Sequence, residues 1–254
     1  MKKPSISLVM ITKNSADTLA KSLESIKDLV NEMIIVDSYS ADKTAEIARA
    51  FGAVIYFQPY RSEGEQRKIA LTKAHGDWIL ILDSDEIVSS KLKEEIKESL
   101  STIPKHSGFI IPFKNHFLGR VVRHGGETYQ KLRLFKRKSK DISVRDVIVH
   151  AELKGDKRAI GMLKNKIYHY SYRSLSQMYI KFTDYALREA KQKKRQGERT
   201  SLKKIVLYPV HMFWARFVED KGYKDGFFRI PLDAGFAYME FLTYFSMLFL
   251  KKNR

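Results

Sequence analysis

Three carboxylates, Asp83, Asp85 and Glu86, follow closely on the apolar run Trp78, Ile79, Leu80, Ile81, Leu82. An unbroken apolar run of this length reads as a strand buried on both faces, the kind found in a parallel sheet covered by helices. The acids then stand at its carboxyl end, the edge of an α/β sheet where ligands bind. In extended geometry side chains two residues apart point the same way, so Asp83 and Asp85 are expected to face one ligand together. Like charges held that close are costly unless a cation answers them. Carboxylate oxygens suit the hard ions Mg2+ or Mn2+, and such an ion commonly carries phosphates where no glycine-rich cradle does. Neither G-x-G-x-x-G nor a Walker A sequence occurs. There is no cysteine, which excludes disulfides, thiolate zinc sites and cysteine nucleophiles and fits a reducing compartment.

The elements that must position these acids show as an alternation. Strand-like "ISLVMIT" ends on Thr12, Lys13 and Asn14, and a helical pattern follows with Leu19, Leu23, Ile26 and Val30 on one face. "EMIIVDS" ends on Asp37 and Ser38, and "DKTAEIARAFG" reads as a helix closed by a glycine. "AVIYFQ" is a third strand, "EGEQRKIALTKAHG" a third helix and "DWILILD" the fourth strand. Units alternating at this length imply a mostly parallel sheet with crossover helices, and three polar clusters then share one edge. Ser89 and Ser90 are placed to cap a helix running through Leu100. From residue 108 the texture changes to short strands, "GFIIPF", "KLRLFK" and "DVIVHAEL", and after 171 it becomes long and helical.

A chain of 254 residues with 44% hydrophobic side chains can bury one good core and a smaller appended subdomain. Its start, "MKKPSISLVMITKN", mimics a short signal peptide, but the apolar stretch runs straight into Lys13 and reads as the first buried strand. No stretch reaches the roughly 18 uncharged apolar residues that a membrane span needs. The net charge of +18 is unevenly placed: residues 1–90 hold 11 Lys and Arg against 13 Asp and Glu, and residues 91–254 hold 36 against 16. Such a field favours a polyanion, whether nucleic acid, anionic lipid headgroups or a phosphorylated substrate. The plain alternative is a solvated basic surface, which is also how "KQKKRQGER" at 191–199 reads.

Thr12-Lys13-Asn14, "IIVDSYSADKT" at 34–44 and "GDWILILDSDE" at 76–86 together resemble the nucleotide-sugar half of the family 2 inverting glycosyltransferases with the GT-A fold. "KLRLFKR" at 131–137, "VIVHAEL" at 147–153 and "YHYSYRSLSQMYIKF" at 168–182 resemble the branch that includes bacterial lipopolysaccharide-core glucosyltransferases of β-1,4 type. The order and spacing hold over about the first 185 residues. The resemblance implies an α/β GT-A domain, Rossmann-like and mostly parallel, over 1–185, and a helical, basic C-terminal region over 186–254. It implies a hexose donor of the UDP-glucose type, a divalent metal, Mn2+ or Mg2+, and a glycan or glycolipid acceptor; nucleic acid is not expected as a partner.

Residue by residue, Asp37 matches the acid that contacts a uracil-type base, Thr12 and Asn14 flank the nucleotide beside Ser38, and Arg67 matches a nucleotide-contacting basic residue. The next family position is usually Asn, and Lys68 departs from it. Asp83, with Ser84 beside it, matches the residue that contacts ribose or metal, Asp85 the principal metal ligand, and His169 the late histidine that completes the metal site. Tyr172 and Arg173 are then expected to reach the diphosphate. An inverting displacement also needs a general base on the acceptor side. Close relatives carry an acid directly after the histidine of the "VH" element, whereas here Val149-His150 is followed by Ala151 and then Glu152. Glu152 is the first choice, with Asp146 and Glu127 behind it.

Other readings stay open at this point. Asp37, Ser38 and Ser40 could cap the helix near Asp42, Asp85 and Glu86 could be first-turn acids of the next helix, and His169 could be a packed histidine. A nucleotidyltransferase could use the same carboxylates. A basic nucleic-acid-binding protein would account for the charge but would not require acids at three strand ends. At the C-terminal end, Val206, Val210, Phe213, Trp214 and Phe217 recur at helical spacing near Lys203, Lys204, His211 and Arg216, and residues 236–250 are almost wholly apolar. That composition is expected at an anionic membrane surface, which would hold the protein peripherally on the cytoplasmic face beside a lipid-linked acceptor. A helical pair packed on the catalytic domain, or a contact in a homo-oligomer, is the alternative.

Overall fold

Strand formation begins where the apolar runs are densest: β1 (Ile6–Thr12), β2 (Glu32–Asp37), β3 (Val54–Phe57) and β4 (Trp78–Ile81) pair in parallel in the order β3-β2-β1-β4. This computed structural model describes residues 3–101, 106–140, 142–145, 152–155 and 157–250. The crossovers are α1 (Ala16–Glu24), α2 (Thr44–Ala50) and α3 (Glu63–Thr72). Leu19 and Leu23 of α1 are fully buried, as their four-residue spacing requires. Val9, Ile34, Val36, Ile79 and Ile81 pack with Ala70 and Ala74 from the α3 side, and each aliphatic side chain so buried stabilises the sheet by about 1.5–3 kcal/mol. Entry into β4 needs Gly76, because a Cβ there would stand 2.6 Å from Ser7 Oγ and 2.8 Å from Ser7 N. The same corner is tied by Glu32, which accepts from His75 N at 2.6 Å and Gly76 N at 3.0 Å.

Beyond β4 the sheet turns antiparallel. After β5 (Glu86–Val88) and α4 (Ser90–Ser101) come β6 (Gly108–Phe117), β7 (Arg120–Val122), β8 (Gln130–Lys136), β9 (Ile142–Arg145), β10 (Glu152–Gly155), β11 (Ile160–Met162) and β12 (Ile167–Tyr172). β8 runs antiparallel to β4, with Ile79 opposite Phe135 and Leu80 opposite Leu134, and β6 runs antiparallel to β8 through a bulge at Phe109/Ile110. β11 pairs in parallel with β6, β12 is antiparallel to β5, and β9 and β10 form a separate ribbon. Parallel pairing among β1 to β4 therefore covers only four of the ten strands of the main sheet. Ser89 Oγ accepts from Leu92 N at 3.2 Å and caps α4 as expected.

Residues up to 113 together with 130–169 make one compact unit, and 114–129 together with 170 onward make a second. In the second, residues 115–117 of β6 pair with β7. Three helices follow, α5 (Leu175–Arg195), α6 (Leu202–Trp214) and α7 (Ile230–Phe249). Ser174 and Ser201 cap α5 and α6 by accepting from Gln177 N and Lys204 N. The core is Phe117, Val122, Met178, Phe182 and Leu232. Among the described residues no helix is long and apolar enough to cross a membrane.

Candidate active site

The ends of β1 and β2 are laced together before any ligand is considered. Thr12 lies opposite Asp37 in the parallel register, and its Oγ1 donates to Asp37 Oδ2 at 2.7 Å. Asp37 is buried and also accepts from Ser40 N at 2.7 Å and Ser40 Oγ at 2.6 Å. Asn14 sits at φ 47°, a left-handed conformation that asparagine tolerates, and its Oδ1 accepts from Ala41 N at 2.9 Å. Lys13 Nζ donates to the carbonyls of Ser38 and Tyr39. Thr12, Asn14, Asp37 and buried Ser38 thus form one hydrogen-bonded ledge. Asp37 does not cap the helix near residue 42; Asp42 does that work, accepting from Thr44 N at 3.0 Å and from Ala16 N at 3.0 Å.

The segment 83–86 is a turn, not an extended strand end. Glu86 N donates to the Asp83 carbonyl at 3.0 Å, and Asp83 N donates to Glu86 Oε2 at 2.9 Å. Pleat alternation therefore does not operate, and the two aspartates take different partners. Asp83 Oδ1 accepts from Arg67 Nη2 at 2.9 Å and its Oδ2 from Arg133 Nη2 at 3.0 Å. The same Arg133 nitrogen donates to Glu86 Oε1 at 2.6 Å. Burial opposes ionisation of Asp83, but Arg67, Arg133 and Lys131 outweigh it and hold the carboxyl far below the ordinary range. Burial pushes the Glu86 carboxyl up to about 7 against the pull of Arg133. Glu63, the first residue of α3, is raised by burial and by the nearby charge of Asp83. The repulsion anticipated among the acids is thus answered by the protein's own arginines.

Asp85 meets a histidine. β5 and β12 pair with His169 opposite Glu86, which brings His169 Nε2 to 3.4 Å from Asp85 Oδ1. Burial disfavours the protonated imidazole, but Asp85, Glu86 and Asp83 together raise its pKa above the usual histidine value. Glu86 lies on a strand that precedes α4, so it is not a first-turn acid of that helix. Among the described residues no three His, Asp or Glu side chains form a closed metal cage. A magnesium-type ion is commonly held by one or two protein ligands with phosphate and water completing its shell. Asp85 with His169 fits that pattern.

The other expected residues distribute as follows. Arg67 is buried against Asp83, and Lys68, the next residue of α3, is exposed. Ser84 Oγ donates to Ser15 Oγ at 2.9 Å. Tyr172 belongs to the second unit, where its ring packs edge-on to Phe182 with centroids 5.1 Å apart and burial raises its hydroxyl pKa. Arg173 is exposed there, its backbone N donating to Gln177 Oε1. Glu127, in the same unit, is ion-paired with Arg216 and 3.7 Å from Arg229. Glu152 opens β10, its backbone opposite Arg145. Asp146 and Val149-His150-Ala151 lie outside the described residues. Sequence reasoning missed Arg133. The signal was present in "KLRLF", where alternation puts Lys131, Arg133 and Phe135 on one face of β8 and Leu132 and Leu134 on the other.

Residues 7–151 match the family model described as Glycosyl transferase family 2, more than half of the chain. The chain belongs to that family. It is a glycosyltransferase, with the α/β GT-A fold and helical C-terminal part that the resemblance implied, and the nucleotidyltransferase alternative falls away. This family 2 glycosyltransferase is 28% identical over 251 residues to an uncharacterized glycosyltransferase of Rickettsia bellii, covering 93% of this chain and 84% of the relative. It is 25% identical over 237 residues to the lipopolysaccharide core biosynthesis glycosyltransferase LpsC of Rhizobium meliloti, covering 89% of this chain and 84% of the relative. Among solved structures, S. aureus TarS 1–349 aligns over 95% of this chain and 91% of that one, at 14% identity and a TM-score of 0.48.

Proposed function

We propose that this glycosyltransferase moves a hexose, with inversion, from a UDP-sugar of the UDP-glucose type to a hydroxyl of a lipid-linked or cell-envelope glycan such as lipopolysaccharide core. It works with Mn2+ or Mg2+ at the cytoplasmic face of the membrane. The observation that carries the reading is the convergence of Asp85 and His169, 3.4 Å apart, beside an Asp83 already neutralised by two arginines. The relationship to LpsC supports the choice of acceptor.

In this reading the ledge of Thr12, Asn14, Asp37 and Ser38 receives the nucleoside, with Asp37 facing the base, while Arg67, Lys68, Asp83 and Ser84 border the ribose and phosphates. Asp85 and His169 hold the divalent ion. When bound, that ion neutralises charge developing on the departing diphosphate. Asp83 stays anionic and fixed because Arg67 and Arg133 grip one oxygen each, so the turn that presents Asp85 does not have to rearrange on binding. Glu152 takes the proton from the attacking hydroxyl.

Calorimetry against UDP-, GDP- and dTDP-hexoses with Mn2+ tests the donor. A UDP-hexose should bind tightest, and Asp37→Asn should weaken UDP at least tenfold while leaving binding of Mn2+ alone unchanged. Equal affinity across the nucleotides would overturn the donor assignment. For the base, Glu152→Gln should lower kcat by about 100-fold or more and spare donor affinity, since a positioned base contributes roughly 10²–10⁴. Full activity in that variant would move the role to Asp146 or Glu127.

A further inference from the structure

Helix α6 has too little core to account for its composition. It reads LKKIVLYPVHMFW, yet only Ile205 is buried, against Ala190, Tyr244 and Met247. Leu202, Val206, Val210 and Trp214 recur every four residues, so they share one face of the helix. That face is bare, at 77%, 53%, 64% and 55% exposure. Twelve steps of about 1.5 Å from Leu202 to Trp214 make the stripe about 18 Å long. α7 differs. Its Thr243, Tyr244 and Met247 are buried, while Phe241, Phe245 and Phe249 form an exposed aromatic ladder with ring centroids 5.4 and 5.3 Å apart. Half of α7 is therefore core of this unit, and the free apolar surface lies chiefly on α6.

The charge flanking the stripe in sequence says what covers it. Residues 191–224 carry ten Lys and Arg against three Asp and Glu. Arg195, Arg199, Lys203, Lys221 and Lys224 are all exposed. The core of a protein–protein interface is depleted of lysine. Aliphatic residues with Trp at one end and a cationic surround are instead the composition of a helix lying in a bilayer interface.

We propose that the Leu202–Val206–Val210–Trp214 face of α6 is a docking surface for an anionic lipid bilayer, with apolar side chains entering the headgroup boundary and the surrounding cations meeting lipid phosphates. This deepens the proposed function and rests on its lipid-linked acceptor. Deleting the C-terminal segment would also remove Tyr244 and Met247 from the core, so point changes are the right probe. The protein has a built-in reporter: of its two tryptophans, Trp78 is buried and Trp214 is exposed.

The test is titration of full-length protein with phosphatidylcholine vesicles and with vesicles containing phosphatidylglycerol, following tryptophan emission and co-sedimentation. Wild type should shift to the blue and sediment with the anionic vesicles only, and high salt should release it. Val206→Glu/Val210→Glu, both positions being more than half exposed, should keep the wild-type melting curve and UDP affinity but bind anionic vesicles at least tenfold more weakly. Lack of any shift in wild type, or equal binding by the variant, would overturn the proposal. So would a wild-type dimer that the double variant turns into monomer without vesicle binding, which would give this face to a second copy of the chain. Because UDP affinity is read in the same samples, loss of the donor assignment would register separately from loss of the surface.

Discussion

Asp85→Asn should lower kcat by about 100-fold or more while the protein stays folded, a magnitude typical of removing one preorganised electrostatic group from a transition state. Three observations support so large an effect. Asp85 sits in a turn held at both ends by bonds between Asp83 and Glu86, so the substitution does not disturb the backbone that presents it. Its oxygen approaches His169 at 3.4 Å, beside an Asp83 that Arg67 and Arg133 hold in place. Asparagine keeps the shape and loses the charge, so UDP affinity should become insensitive to Mn2+. Steady-state kinetics with a UDP-hexose, run with and without chelator, checks this. Turnover and metal response equal to wild type would remove Asp85 from the site.

The second large effect is on stability. Arg133 is almost completely buried, and one of its nitrogens reaches both Asp83 at 3.0 Å and Glu86 at 2.6 Å. Arg133→Met preserves much of the side-chain volume but removes the guanidinium that joins the Asp83 and Glu86 carboxylates, leaving Arg67 bonded to Asp83 alone. Removing one partner of a buried ion pair costs about 3–5 kcal/mol. For a chain of this size each kcal/mol lowers the melting temperature by roughly 2–4 °C, so a fall of about 10 °C is expected. Arg133→Lys should fall between, because an ammonium keeps the charge but lacks the reach of the outer guanidinium nitrogen that meets both acids. Thermal unfolding of the three proteins settles the order. A methionine variant as stable as wild type would show that the arginine is not what holds the turn.

The parallel half of the sheet was legible because its signals are local. A strand followed by a helix repeats three times, β1 and β2 buried and β3 half-exposed, and the apolar runs end on polar residues that the parallel register then aligns, as with Thr12 and Asp37. The hydrogen bond from Thr12 to Asp37 joins two strand ends that could be named from the sequence alone. The D-x-D segment was legible as a cluster of acids at a strand end but not as a shape. Extended geometry was expected at 83–85, and the structure has a turn there, because Glu86 uses its side chain to bond back to the Asp83 backbone, an interaction that periodicity does not register.

Composition and periodicity determined that the chain is α/β, that its acids gather at strand carboxyl ends and that its cations lie in the later part. Only the tertiary structure decided which charge meets which. His169 reaches Asp85 because β12 pairs with β5, two strands 83 residues apart at the His169–Glu86 position. Arg133 reaches Asp83 because β8 adds antiparallel to β4 with Leu134 opposite Leu80. The compact unit that joins 114–129 to the C-terminal helices is likewise discontinuous in sequence. Strand partners and register are set by side-chain packing between distant segments, so they become visible only once the chain is folded, and the cation that neutralises a buried acid becomes visible with them.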